Sequence, residues 1–215
     1  MEKIVLMMDT GRDASVRAAK WLARNGCRVT LLQKEKRETP GVDSIEIDLL
    51  DTAAVQALAE SFERIDVLVL GAPPCTPDGP IGAGHDLDAM LDALTYLGRG
   101  TGNLLEACEP KLRMGMKRIA CITEPECSHA LGVEADNLLR HQMLCALNVL
   151  GKELFNRLRP EGFTFRWFCE GDTPAPMPAG EYILAQLSYH PDEAYIHSDE
   201  NRLTLRNGYL QEIPW

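Results

Sequence analysis

KIVLMMDTGRDASVRAAKWLARNGCRVTLLQ, residues 3–33, is the stretch whose reading decides the fold. Lys3-Ile4-Val5-Leu6-Met7-Met8 is an almost unbroken apolar run of strand length, the pattern of a strand buried on both faces. Asp9-Thr10-Gly11-Arg12-Asp13 is turn chemistry, and from Ala14 the apolar period becomes helical through Val16, Ala19, Trp21, Leu22 and Ala23. Asn25-Gly26 closes that helix, and Arg28-Val29-Thr30-Leu31-Leu32 is a second strand. Strand, turn, helix and strand at this spacing make a βαβ unit, whose right-handed crossover sets the two strands parallel in one sheet. The unit presents a helix N-terminus at the carboxyl edge of that sheet, where backbone N–H groups and the helix dipole favour an anion such as a pyrophosphate.

The alternation continues outward from this unit. Residues 44–48 and 66–70 are predicted strands, with a helix from Asp51-Thr52 between them through Val55, Leu58, Ala59 and Phe62, capped by the Asp or Thr side chain. Gly71-Ala72-Pro73-Pro74 opens a Pro- and Gly-rich loop to His85, long enough to suggest function or mobility. Residues 86–94, 100–112 and 133–158 are predicted helices, residues 118–123 and 163–169 strands, and a further helix falls near 181–188. In the tail, residues 193–197 read as a strand and 203–210 as a hairpin with Asn207-Gly208 at its turn. The expected architecture is α/β: a doubly wound, Rossmann-like parallel sheet of six to seven strands with a short C-terminal β-hairpin, in a single domain spanning 1–215.

Composition narrows the partners. A net charge of −10 over 215 residues argues against nucleic acid, where affinity begins with phosphate neutralisation. The sequence shows neither an apolar run near the roughly 18 to 20 residues a membrane span needs nor a signal-peptide apolar core before the first strand. Seven cysteines without a C-x-x-C pair read as small buried hydrophobes in a reducing compartment, so the expected location is cytoplasmic. Cys121, Cys127 and Cys169, with His129 and His141, show no metal-ligand spacing, and no metal is expected.

With this order of parts, the chain resembles the short-chain dehydrogenase/reductase family from about residue 3 to about residue 174. Thr10-Gly11 stands where that family begins its motif T-G-x-x-x-G-x-G, and Asp48-Leu49 matches the acidic residue that contacts adenine. Residues 66–73, DVLVLGAP, sit where the family has D-x-L-V-N-N-A-G; residues 119–124 match the strand that ends in two serines. Residues 162–174 resemble G-I-R-V-N…P-G…T-P. The resemblance implies binding of NAD(P) through Thr10, Gly11, Arg12, Ser15, Val16, Lys34, Asp48, Leu49, Gly71, Ala72, Thr123 and Gly171. It implies NADP(H) rather than NAD(H), because Gln33-Lys34-Glu35-Lys36-Arg37 after the second strand offers cations where NAD enzymes place a carboxylate.

The departures are as informative. The family's second and third glycines fall on Ser15 and Arg17, and its paired Asn positions on Leu70 and Gly71. Counting along the chain places the catalytic Tyr at Arg140, the Lys at Leu144, the Ser at Glu124 and the Asn at Leu97, and none of the five tyrosines has a Lys four residues on. The Lys-assisted phenol that exchanges a proton during hydride transfer is therefore missing. Glu124, Arg140 and His141 are the substitutes on offer, Glu124 as acid or base, Arg140 and His141 as anion binders or proton shuttles; Glu124 equally suits a cap or a pair with Arg140. Two functions follow: an atypical NAD(P)-binding oxidoreductase acting on a small molecule of unknown identity, or a non-catalytic sensor or structural subunit of the same fold. The resemblance implies pairing through the helices at 100–112 and 133–158, and the apolar Leu138, Leu139, Met143, Leu144, Ala146, Leu147 and Leu150 of the second predict a homo-oligomer, dimer or tetramer, with Trp215 packed on its own subunit or a neighbour.

Overall fold

The computed structural model describes residues 2–75, 79, 82, 84–131, 137–171, 176–187 and 203–215. Eight strands form one sheet in the order β3-β2-β1-β4-β5-β6-β7-β8. They are β1 (Lys3–Met8), β2 (Cys27–Gln33), β3 (Asp43–Glu46), β4 (Val67–Gly71), β5 (Arg118–Thr123), β6 (Thr164–Cys169), β7 (Leu205–Asn207) and β8 (Glu212–Ile213). Neighbouring pairs are parallel as far as β7, and β8 alone runs antiparallel. The chain reverses its direction of travel across the sheet between β1 and β4, which places a crevice beyond their carboxyl ends.

Helices α1 (Asp13–Arg24) and α6 (Ala179–Leu187) cover one face; α2 (Thr52–Glu60), α4 (Thr101–Met114) and α5 (Leu138–Leu158) cover the other. The pleat explains how one apolar run serves both. Val5 and Met7 pack with Ala18, Leu22 and Ile183, whereas Ile4, Leu6 and Met8 join the core beneath the second layer. Asp51 caps α2 by accepting from the N–H groups of Ala53 and Ala54, each at 3.0 Å, and Asn137 caps α5 by accepting from Arg140 N–H at 2.9 Å. Among the described residues no helix is long and apolar enough to cross a membrane.

Several expectations change. The predicted third strand shifts to Asp43–Glu46, and beyond it Ile47 and Leu49 are buried while Asp48 stays exposed. Two separate helices become one path: α3 (Leu87–Thr95) runs through a π turn (Tyr96–Gly100) into α4. The start of the 133–158 helix, the 193–197 strand and Thr173-Pro174 lie outside the described residues. The hairpin closes later than expected. Asn207 Oδ1 accepts from the N–H groups of Tyr209 and Gln211, both at 3.0 Å, so a longer connection replaces a two-residue Asn-Gly turn. Leu139, Met143, Leu144 and Leu147 are buried in the subunit's own core, which removes most of the apolar surface assigned to a partner; the period shows a wide stripe but not what covers it.

Candidate functional site

The turn after β1 is held together by a carboxylate. Asp9 is buried, and its Oδ1 accepts from Gly11 N–H and Ser15 Oγ–H, each at 2.9 Å, while Oδ2 accepts from Gln33 Nε2 at 3.0 Å. Thr10 N–H reaches Ser15 Oγ at 3.3 Å, and Arg12 N–H reaches Thr10 Oγ1 at 3.3 Å. The N–H groups of Gly11 and Arg12, which an incoming anion would need, are thus already paired. Gly11 has φ +69°, and a Cβ there would meet Pro74 Cγ at 2.6 Å, so the Pro73-Pro74 segment lies directly against the turn. Gly71 is similarly close-packed: a Cβ would meet Thr10 Cγ2 at 2.4 Å.

Beside this turn is the space bounded by Asp9, Gln33, Lys34, Leu49, Pro74 and Tyr96. It is about 10 Å³, room for at most a single water. Tyr96, delivered by the π turn, forms one of its walls: its hydroxyl accepts from Leu49 N–H at 3.3 Å and donates to Ile47 C=O at 3.4 Å. Lys34 Nζ lies 4.9 Å from the centre of that ring. Burial pushes the Tyr96 phenol up, which keeps the hydroxyl a donor. Asp48 remains exposed and turns its carboxylate onto Leu50 N–H at 2.9 Å.

On the other side of the turn an open cleft of about 500 Å³ runs between Arg12, Arg17, Glu124, Glu126, Glu170 and Gly171. Arg17 pairs with Glu170 at 2.7 Å, and Arg12 with Glu124 at 3.6 Å. With Asp13 at its rim, the cleft carries four carboxylates against two guanidiniums, a poor balance for a pyrophosphate. Arg140 is buried; it bonds Glu124 through two nitrogens and donates through Nη1 to the carbonyls of Ala72 (3.0 Å) and Pro73 (2.9 Å). Arg140 therefore locks the ends of β4 and β5 together, and Glu124 is a partner in that lock. Thr123 is buried at the end of β5, and Val16 packs in the α1 layer.

His141 does not join Glu124 and Arg140. Its ring lies 5.5 Å from that of His129, and Cys145 Sγ is 3.4 Å from His129 Nε2. The ligand atoms of His129, His141 and Cys145 all fall within 4.8 Å of one another. Sequence reading passed over this group because it weighed the wrong thiols, although His141-x-x-x-Cys145 is a spacing that puts two side chains on one helical face. Cys108 and Cys121 do behave as buried apolar groups: burial pushes Cys108 up to about 12 and Cys121 well above its ordinary value.

No family model matches this chain, and no curated protein matches its sequence. Solved structures do match. A putative short-chain alcohol dehydrogenase from Burkholderia multivorans superposes with a TM-score of 0.73 over 100% of both chains at 15% identity. The NADH-dependent reductase A1-R′, responsible for alginate metabolism, gives 0.71 over 98% of this chain and 97% of that one at 18% identity. The chain has the short-chain dehydrogenase/reductase fold. A metagenomic short-chain oxidoreductase in complex with NADP shares that fold with a TM-score of 0.67, 18% identity, and coverage of 89% of this chain and 93% of its own.

Proposed function

We propose that this chain uses the short-chain dehydrogenase/reductase fold without its redox chemistry, as a non-catalytic binding or structural subunit. The observation that carries this reading is the size of the space walled by Tyr96, Leu49, Pro74 and Gln33, where the fold's adenosine would lie: about 10 Å³. The Asp9 carboxylate supports it, since it takes Gly11 N–H and the Ser15 hydroxyl as a built-in anion. So does Arg140, a guanidinium with four acceptors already engaged, standing where the family's proton-transferring Tyr is counted. An adenine ring does not enter the space of about 10 Å³ beside the first turn as these residues are packed.

The test is a thermal melt of the full chain with NADPH or NADH in excess. The expected result is no shift, whereas a bound ligand at a hundred times its dissociation constant would raise the midpoint by about 5 to 10 °C. Such a rise with either nucleotide overturns the proposal. A second reading, an NADP(H)-dependent oxidoreductase of unknown substrate, draws on the open cleft of about 500 Å³ with Arg12 in its wall, and on Lys34 across the turn beside Tyr96. A rise with NADPH alone would favour it.

Self-association belongs to the same proposal. Leu87 and Leu91 stand exposed on one side of α3, and Val149 on α5, in place of the buried Leu147. A single-subunit mass by light scattering at micromolar concentration would refute this. Cytoplasmic placement is proposed with it, supported by seven cysteines that all remain thiols.

A further inference from the structure

The structure assigns a second site to this chain: we propose that His129, His141 and Cys145 bind a zinc-class divalent cation with three protein ligands and a fourth position open to the adjoining cavity. The ligand types are those zinc takes, imidazole nitrogen and thiolate sulfur. A tetrahedron with arms of about 2.0 to 2.3 Å has edges of roughly 3.3 to 3.8 Å. Cys145 Sγ and His129 Nε2 already stand 3.4 Å apart, and all three ligand atoms lie within 4.8 Å of one another, so modest side-chain rotation completes the triad.

The elements around the cluster explain how it is held. His141 and Cys145 occupy successive turns of α5 on one face, and His129 comes from the segment following the short 3₁₀ turn Pro125–Cys127 beyond β5. That segment is anchored: Ser128 donates its hydroxyl to Pro214 C=O and accepts from Leu131 N–H, and Asn148 Nδ2 donates to Cys127 C=O at 3.1 Å. His141 and Cys145 are half-buried and His129 is exposed, which leaves a path for the ion.

The open position has somewhere to lead. His129 and Cys145 form part of the wall of an open cavity of about 530 Å³, lined on its apolar side by Leu203 and the exposed Val149 and Trp215. Asn148 lies one turn beyond Cys145 in the same wall, and its Oδ1 is buried with no hydrogen-bond partner among the described residues. A water or ligand hydroxyl on the cation would supply the donor this oxygen lacks. Three protein ligands, a vacant fourth place and a mostly apolar chamber form the arrangement in which zinc takes up a water or the oxygen, nitrogen or sulfur of a small ligand. On binding, Cys145 gives up its thiol proton to solvent and both histidines coordinate as neutral imidazoles.

The experiment uses the full-length chain, treated with a chelator and desalted, and titrated with zinc or with cobalt as a spectroscopic probe. One cation should bind per chain. Cobalt should give the visible bands of a four-coordinate site together with a near-ultraviolet thiolate-to-metal band. Zinc at a hundred times its dissociation constant should raise the melting midpoint by about 5 to 10 °C. Cys145→Ser should abolish the thiolate band, and His141→Ala should weaken binding by more than the about 10- to 100-fold that loss of an outer-shell partner costs. Variant folding is checked by the metal-free melt. If a variant does not fold, the wild-type cobalt spectrum decides: a spectrum without a thiolate band overturns the assignment. Absence of stoichiometric binding by the wild type, or variants that bind as tightly, would overturn it equally.

Discussion

On the β1–β2–β4 side of the sheet's carboxyl edge, Asp9 accepts from Gly11, Ser15 and Gln33, Tyr96 bridges Ile47 and Leu49, and about 10 Å³ remains. On the β5–α5 side, Asn148 Oδ1 is buried without a hydrogen-bond partner among the described residues, in the wall of a cavity of about 530 Å³. The first arrangement spends its polar groups on itself; the second leaves capacity for something else. The contrast teaches that a few side chains can narrow the space beside the first turn while the sheet and its helices stay unaltered.

Three substitutions bear on that contrast. Tyr96→Ala should have the largest effect, a loss of about 3 to 5 kcal/mol, because it empties a well-packed site and strands the Leu49 N–H. Chemical denaturation measures it; a loss under about 1 kcal/mol would mean that the side chain does not fill the space and that the closed side is closed in name only. Asp9→Ala should cost about 2 to 3 kcal/mol by leaving Gly11 N–H, the Ser15 hydroxyl and the Gln33 amide without their shared acceptor. Asp9→Asn, which keeps one acceptor oxygen, should recover part of that loss; no difference between the two variants would refute the role given to the carboxylate. Asn148→Leu should be the mildest, within about 1 kcal/mol of wild type, since the bond to Cys127 C=O is lost while an unpaired buried oxygen is also removed. A loss as large as that of Asp9→Ala would show that the β5–α5 side is as self-satisfied as its counterpart.

Much of the fold was legible before the structure. The apolar runs at 3–8, 66–70 and 118–123 needed no tertiary information, because parallel strands buried on both faces carry uninterrupted hydrophobic residues. The site was legible only in part. Glu124 and Arg140 could be named as partners from their places at a strand end and in a helix, and the structure pairs them. His141 was grouped with them and belongs elsewhere, since sequence order says nothing of which way a helix face looks. Tyr96 went unread: its phenol meets the Leu49 N–H across 47 residues of chain, and only the π turn that joins α3 to α4 aims it there.

By itself, the sequence determined the alternation of strands and helices, the parallel sheet and its C-terminal hairpin, and that no tyrosine has a Lys four residues on, because hydrophobic period, turn residues and residue identity are properties of neighbours along the chain. The tertiary structure alone decided that the turn after β1 carries its own anion, that the space beside it is full, and that His129, His141 and Cys145 converge. Those facts are distances between side chains brought together by strand order and helix rotation, and a few ångströms in them separate an open site from a closed one.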